Sequence, residues 1–187
     1  MMQLSDAIQN RQSIKRFTDQ PVSREAIETI LAAATLAPNH RLTQPWRFYV
    51  LGPAARYAYG LALGDRKAKK IEDPAAAQAM RETIAGEHRA LPCMIAIAVA
   101  TSDDPEIREE DYAAAMMGLQ NLALAAVSLG LGTHIKSGGV MSDPSARAAV
   151  GARDGERIVA VVNVGEPADV PPPKKRSPAS MHTTWVP

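Results

Sequence analysis

Two continuous apolar segments restrict the folds open to this chain more than any other feature of its sequence. The stretch CMIAIAVAT at 93–101 and the core of ERIVAVVNVGEP at 156–167 each have the length of a strand. Neither segment alternates apolar with polar residues, and continuous runs of this kind are typical of strands that are buried on both faces. The sequence therefore predicts a sheet whose central strands are covered on either side.

Helical segments occupy most of the remaining chain. Ser23 is a suitable N-cap for a helix with apolar residues at helical spacing, and Pro38 ends that helix. The predicted helices cover 4–10, 24–36, most of 54–90, 103 to about 129, and 142–150, where Ser142 or Asp143 is the cap. With two further strands, at 46–51 and within 130–139, the element order predicts an α/β or α+β protein with a sheet of about four strands.

The composition argues against several classes of protein. The length of 187 residues fits one domain, followed by a proline-rich arm. The formal net charge is +1, so there is no electrostatic reason to expect nucleic acid or an acidic membrane surface as a partner. The longest apolar region, 112–131, is too interrupted by polar residues for a membrane span. The N-terminus has no apolar signal region, and the single cysteine forms no intrachain disulfide, so we expect a cytoplasmic protein.

Three polar clusters are candidates for a binding site. RQSIKR at 11–16 places three cations beside a serine hydroxyl, NHRLTQPWRF at 39–48 gathers cations and amides around a proline, and KKR at 174–176 lies on the arm. An arginine guanidinium matches a phosphate or a carboxylate in two-point fashion. Each cluster taken alone is as readily a solvated basic surface, and the spacing does not show that the clusters meet.

Other chemistries lack their sequence signatures. His40, His88, His134 and His182 are far apart and have no metal-ligand spacing, so no metal site is expected. The chain contains no GxGxxG or GxxxxGK[ST] nucleotide-binding motif and no GxSxG nucleophile motif. Cys93 begins an apolar strand, which indicates an inert core thiol rather than a nucleophile.

The ordered residues from 11 to 51 resemble the N-terminal signature of the FMN-dependent nitroreductases. RQSIKRFTDQPVSREAIETILAAATLAPNHRLTQPWRFYVL follows the pattern R-R-S-x-R-x-F, a helix ending in A-P, a polar loop and Q-P-W-x-F. The matching residues are Arg11, Ser13, Phe17, Pro38, Gln44, Pro45, Trp46 and Phe48. The long apolar helix, the KSG segment and the VVNVGEP strand also fall where the family has them. APNH is similar to the A-P-[DN]-H loop of the small, minimal members.

The resemblance implies an α+β sandwich in which a mixed sheet of four or five strands is flanked by helices. It also implies an intertwined homodimer, formed around the long helix, with FMN held at the interface in pockets that both subunits line. Residues 1–170 would form the FMN-binding domain and residues 171–187 the extended C-terminal arm. The implied partners are a second copy of the chain and a small-molecule acceptor, without nucleic acid or membrane.

The same resemblance assigns the residues that bind the cofactor. The group at 11–15 is expected to contact the ribityl chain, the phosphate and the ring edge. Leu36 and His40 are expected to approach from the partner subunit, and Gln44 to bond either the flavin or the backbone. The group at 135–138 is expected to pass along the flavin ring, and two cations of the arm to bind the phosphate. The complete set is Arg11, Gln12, Ser13, Lys15, Leu36, His40, Gln44, Ile135, Lys136, Ser137, Gly138, Lys174 and Arg176.

Three of these residues are expected to tune the flavin. Lys136, with Arg11, would place positive charge near the N1–C2=O edge, and Gly138 or its neighbours would direct a backbone N–H at N5. No side chain is expected to act as a catalytic acid or base, because the cofactor performs the chemistry. One departure from the family pattern is Gln12, which stands where the signature has a second arginine and removes one charge near the cofactor.

The implied function is transfer of hydride from NADH or NADPH, through flavin N5, to a small oxidised acceptor such as a nitroaromatic or a quinone, with ping-pong kinetics. One alternative is a flavin-binding protein with little reductase activity that stores, senses or consumes flavin. Another is an interaction domain without flavin, whose long apolar helix is only a dimer interface. Whether NADH or NADPH can pass residues 60–90 distinguishes the reductase from the flavin-binding protein with little activity. Uptake of FMN tests the interaction domain without flavin.

Overall fold

The computed structural model describes residues 2–187 and consists of one sheet between two layers of helices. The strands are β1 (Trp46–Val50), β2 (Cys93–Ala100), β3 (Gly132–Lys136) and β4 (Glu156–Gly165). They lie in the order β1-β2-β4-β3, and all three neighbouring pairs are antiparallel. The two apolar segments of the sequence are thus the two central strands.

Six α-helices connect and cover these strands. They are α1 (Leu4–Asn10), α2 (Arg24–Thr35), α3 (Pro53–Ala68), α4 (Pro74–Ala90), α5 (Pro105–Ser128) and α6 (Pro144–Val150). Within residues 2–187, no helix combines the length and the apolar character that crossing a bilayer requires. Short 3-10 turns cover His40–Leu42, Gly139–Ser142 and Ala179–His182.

Polar caps determine where several of these helices begin. The Ser23 hydroxyl accepts from a first-turn N–H of α2, as the sequence predicted. Asp73, Asp104 and Asp143 do the same for α4, α5 and α6, and each is followed by a proline at the first helical position. Because Asp73 starts a new helix, the helical region predicted at 54–90 is divided into α3 and α4.

Side chains of β2 alternate between two apolar cores. The first core, which α2 and α5 cover, takes Ile95, Ile97 and Val99, and the second core, which α3 and α6 cover, takes Met94, Ala96 and Ala98. Both faces of the strand are buried, which explains why it contains no polar residue. Cys93 is buried as predicted, and burial raises the pKa of its thiol to about 11.

The α+β class and the helices on both faces of the sheet are confirmed. The expected mixed sheet is not found, because the parallel pairing among residues 2–187 consists of one isolated bridge between Ser13 and Thr133. The N-terminal segment reaches β3 there, but it pairs too briefly to form a parallel strand, so the four regular strands remain antiparallel. After β4 the chain is mostly irregular, and residues 172–187 are exposed throughout.

Candidate functional site

The segment from Arg11 to Phe17 lies against the edge of the sheet. Ile14 donates its backbone N–H to the carbonyl oxygen of Thr133 in β3 at 2.9 Å, and Ile14 itself is buried. A few residues later, Phe17 forms an antiparallel bridge with Pro167, just after β4. These bonds fix the polar residues on either side of Ile14 with respect to the sheet.

Two glycines of the sheet make this close approach feasible. A Cβ at Gly132 would lie 2.4 Å from Cγ1 of Ile14, and a Cβ at Gly165 would lie 2.5 Å from Cγ of Pro92 and 3.0 Å from Cδ1 of Phe17. Real Cβ atoms do not approach other heavy atoms so closely. The sheet edge therefore accepts the segment only because it presents bare backbone at these positions.

A cavity of about 580 Å³, here called the cationic cavity, opens beside this segment. Its walls come from the end of α1, from the segment itself and from the start of the C-terminal arm. Five cations and one carboxylate line it: Arg11, Lys15, Arg16, Lys174, Arg176 and Asp169. The two basic clusters at opposite ends of the sequence thus meet at one site.

The cationic cavity contains six of the predicted cofactor-binding residues. They are Arg11, Gln12, Ser13, Lys15, Lys174 and Arg176. Guanidinium, ammonium and hydroxyl donors that converge in this way suit a phosphate group. The charge missing at Gln12 is not replaced in full by Arg16, because Arg16 forms a 2.8 Å ion pair with Asp169.

A second cavity, of about 570 Å³ and here called the polar cavity, lies between the end of α4 and the edge strand β3. Its polar lining consists of Lys15, Thr18, Asp19, Glu87, His88, His134, Lys136 and Asn163. Lys15 lines both cavities, so the two are adjacent.

Strand periodicity brings His134, Lys136 and Asn163 to the same side of the sheet. His134 and Lys136 are two residues apart in β3, and Asn163 is the register partner of His134 in β4. Burial lowers the pKa of the Lys136 ammonium, and the nearby Lys67 lowers it further. The pKa of His134 is lowered too, first by burial and then by Lys136 and Lys15.

His88 lines the polar cavity and has one buried ring nitrogen without a partner among residues 2–187. The residue is 6% exposed, and its Nδ1 lies 2.8 Å from the carbonyl oxygen of Ile84. Burial lowers the pKa of His88, so the ring is neutral at pH 7, with its proton on Nδ1. Its Nε2 is then an acceptor, and it has no partner within residues 2–187.

The remaining predicted residues of the β3 region lie elsewhere. Ile135 points to the opposite face of the sheet and packs against the first core, so only its backbone is available to a ligand beside β3. Ser137 and Gly138 follow the strand as an exposed turn, and Gly138 has a φ of +126°, which favours glycine. Neither of these two lines the cationic cavity or the polar cavity.

Residues 39–44, here called the polar loop, have an unusual backbone. Three residues other than glycine have positive φ angles: Arg41 at 64°, Leu42 at 51° and Gln44 at 45°. A left-handed conformation costs roughly 1–2 kcal/mol for such residues. The side chain of Asn39 offsets part of this cost, because its Oδ1 accepts from the N–H of Gln44 at 2.6 Å and its Nδ2 donates to Thr43 at 3.0 Å.

Ion pairs and a hydrogen bond fix the polar loop to α5. His40 lies 2.7 Å from Glu110, Arg41 lies 3.0 Å from Glu106, and the Thr43 hydroxyl donates to buried Asp111. Leu36, His40 and Gln44, which were predicted to approach the flavin, line neither cavity of this chain. The loop is instead held against α5, and Leu42 within it and Leu36 before it are 77% and 81% exposed.

Sequence reasoning missed six polar residues of the polar cavity, among them His134, Asn163 and His88. His134 was detectable, because strand alternation places it beside Lys136. Asn163 was also detectable, since it is the one polar residue within the apolar run VVNVG. His88 carries no such signal, because only the packing of α4 against α3 buries it.

Comparison with known proteins agrees with this geometry. The sequence model of the nitroreductase family matches residues 8–166. The Bacillus subtilis (strain 168) protein YfhC, provisionally assigned as an NAD(P)H nitroreductase, is 33% identical over 178 residues, which cover 94% of this chain and 90% of YfhC. This chain belongs to the nitroreductase family.

Solved structures of the same family share the fold. The nitroreductase-like family protein from Bacillus cereus has a TM-score of 0.84 and 27% identity, with 100% of this chain and 97% of that chain covered. A provisionally assigned nitroreductase from Desulfovibrio desulfuricans, crystallised in complex with FMN, has a TM-score of 0.73 and 26% identity, with 100% and 98% covered.

Proposed function

We propose that the protein is an FMN-dependent oxidoreductase that transfers hydride from NADH or NADPH to a small oxidised acceptor such as a nitroaromatic or a quinone. The observation that carries this proposal is the convergence of Arg11, Lys15, Lys174 and Arg176 on one cavity, although the two pairs are more than 150 residues apart. A relative crystallised with FMN and a relative named for NAD(P)H support the cofactor and the reductant.

The residues present fit a flavin mononucleotide. The cationic cavity suits its phosphate, and the Ser13 hydroxyl and Gln12 suit the ribityl hydroxyls. Lys15 connects this cavity to the polar cavity, where Lys136 supplies a partly desolvated positive charge for a ring carbonyl. When bound, FMN supplies the hydride chemistry, while the protein binds it, orients it and sets the charge around it.

The protein's own contribution to hydride transfer is electrostatic. A half-buried ammonium interacts more strongly with developing negative charge than an exposed one, because water screens it less. Lys136 meets this condition and has no ion-pair partner in the described part of the chain. We assign it the tuning role, with the exposed turn at Gly138 offering a backbone N–H.

A homodimer would complete the site. The polar loop is ordered by side-chain bonds, contains three left-handed residues, exposes Leu42 and follows the exposed Leu36, yet it lines neither the cationic cavity nor the polar cavity. Strained, fixed and exposed apolar segments of this kind are typical of binding surfaces. In this proposal Leu36, His40 and Gln44 reach the flavin of the second copy, and sedimentation should detect a dimer in the holoprotein. A stable holo-monomer would contradict it.

The visible spectrum of the purified protein tests the proposed function. Flavin bands that bleach on anaerobic addition of NADH or NADPH are expected, and oxidation by an added quinone should restore them. Bands that persist would instead favour a role in storing or sensing flavin. Absence of bands after incubation with FMN would overturn the assignment of the cationic cavity.

A further inference from the structure

The last turn of α3 and the turn that follows β3 are in close contact. A Cβ at Gly139 would lie 2.6 Å from Nη2 and 3.4 Å from Cζ of Arg66, so the guanidinium packs against backbone that carries no side chain. Gly139 directly follows Gly138, whose backbone N–H is offered to the flavin in the proposed function. The Arg66 guanidinium therefore lies beside the neighbour of a proposed flavin contact.

Arg66 uses little of its hydrogen-bonding capacity within residues 2–187. Its ion-pair contact there is an approach of Nη1 to Asp143 Oδ2 at 4.0 Å, which is longer than a hydrogen bond. The other carboxylate oxygen of Asp143 caps α6, where it accepts from the N–H groups of Ser145 and Ala146. The Arg66 side chain is 39% exposed, so a ligand can reach it.

A second cation, Lys67, follows Arg66 in the last turn of α3. Lys67 has no ion-pair partner among residues 2–187. Burial first, and the charge of Lys67 second, lower the pKa of Lys136, so the two ammonium groups lie near each other. Because Lys136 lines the polar cavity, the end of α3 adds positive charge beside the region where the proposed function places the flavin ring.

We propose that Arg66 and Lys67 bind an anionic oxygen group, a phosphate or a carboxylate, on a ligand that exchanges hydride with the flavin. A guanidinium matches either group in two-point fashion, and the neighbouring ammonium adds charge without a fixed direction. Two ligands of the proposed reaction can supply the group: NADH or NADPH through its phosphates, and an acceptor that carries a carboxylate. The inference rests on the proposed function and adds the residues that select for charge on the ligand.

Substrate pairs that differ in charge test the proposal and separate the two sources. For the reductant, NADPH is compared with reduced nicotinamide riboside, which carries no phosphate. For the acceptor, 4-nitrobenzoate is compared with 4-nitrobenzamide, which has nearly the same shape and no charge. With ping-pong kinetics, kcat/KM for each substrate reports its own half-reaction, so the two sources are measured independently.

Substitutions in the holoprotein connect the preference for charge to the named residues. Arg66→Gln should lower the ratio of kcat/KM between the charged and the neutral member of one pair about fivefold, as expected of a partly exposed ion pair. Lys67→Gln should lower the same ratio less, and added salt should lower it in the wild type, because salt screens the attraction. Arg24→Gln, an exposed arginine of α2 that pairs with Glu28, is the matched control and should keep both wild-type ratios.

The ratio that falls identifies the source of the anionic group. Wild-type ratios for both pairs in both variants would overturn the proposal, since the two cations would then serve only the C-terminal dipole of α3 and the packing of the turn. Flavin that no reductant bleaches would instead contradict the proposed function, so the two can fail separately. If Arg66→Gln does not fold, Lys67→Gln carries the test alone.

Discussion

The segment Arg11–Phe17 and the polar loop at 39–44 are both polar and both resemble flavin-binding segments, yet they are built differently. The first is anchored through backbone hydrogen bonds to the sheet, with no positive φ, and lines a cavity of its own chain. The second is anchored through side chains, with three left-handed residues, and lines neither of the two cavities described above. In the proposed function, the first segment binds the flavin of its own chain and the second contacts the flavin of the partner subunit.

Gly132→Ala should damage the first segment most. The new Cβ would meet Cγ1 of Ile14 at 2.4 Å, and Cβ of Ile14 at 2.9 Å, so the segment has to move away from β3. We expect a loss of about 1–3 kcal/mol in unfolding free energy from overpacking, together with loss of FMN retention. Denaturant unfolding and FMN titration measure the two effects.

Gly86→Ala is the matched control for this substitution. Gly86 lies within α4, and a Cβ there would meet nothing within 4 Å. Since alanine is the better helix former, this variant should be neutral or slightly stabilising and should keep FMN. If both variants behave alike, the close contact between Ile14 and β3 does not position the cavity wall.

Arg11→Ala should weaken FMN binding next most strongly. A charge-assisted hydrogen bond to a phosphate contributes about 1.5–3 kcal/mol, which corresponds to roughly tenfold to 150-fold in Kd. Arg24→Ala is the control, since Arg24 is an exposed residue of α2 that pairs only with Glu28. Equal Kd values for wild type and Arg11→Ala, measured by fluorescence titration, would remove Arg11 from the phosphate site.

Asn39→Ala should affect the polar loop while leaving the cationic cavity intact. The substitution removes the acceptor for the Gln44 N–H and the donor to Thr43, so the left-handed residues lose their support. We expect a loss of about 1 kcal/mol or more in stability and a weaker dimer. Asn10→Ala, at the exposed end of α1, is the control for loss of an asparagine.

Two measurements on Asn39→Ala test whether the polar loop and the segment Arg11–Phe17 differ in this way. Sedimentation at a series of concentrations reports association, and urea unfolding reports stability. If Asn39→Ala weakens neither, the loop is not a surface prepared for a second copy. If it abolishes FMN binding in a protein that stays monomeric, the loop acts within its own chain.

Truncation after Pro173 should have the smallest effect. Lys174 and Arg176 are exposed, and exposed ion pairs contribute up to about 1 kcal/mol, or roughly fivefold in FMN affinity. The difference in FMN affinity between the truncated and the full-length protein should disappear at high salt, because salt screens the same contacts in the full-length protein. Truncation after Ser177 keeps both cations and serves as control; equal loss in both truncations would assign the effect to the rest of the arm.

Local structure and the chemistry of individual segments are readable from the sequence. Caps such as Ser23 and Asp143, and prolines at helix starts, depend on neighbours along the chain, so they are readable without a fold. The central strands were equally predictable, because a strand that is buried on both faces consists of a continuous apolar segment. The ordered match from 11 to 51 pointed to the family that the comparisons then established.

Which groups meet in space depends on the tertiary structure. The fold brings Arg11 and Arg176 to one cavity, directs the Ile135 side chain into the first core, and places His88 and Asn163 in the lining of the polar cavity. It also held the polar loop away from both cavities. These outcomes depend on contacts between residues distant in the chain, and local propensity contains no information about such pairs. The sequence shows which functional groups are present, and packing determines which of them lie in the same site.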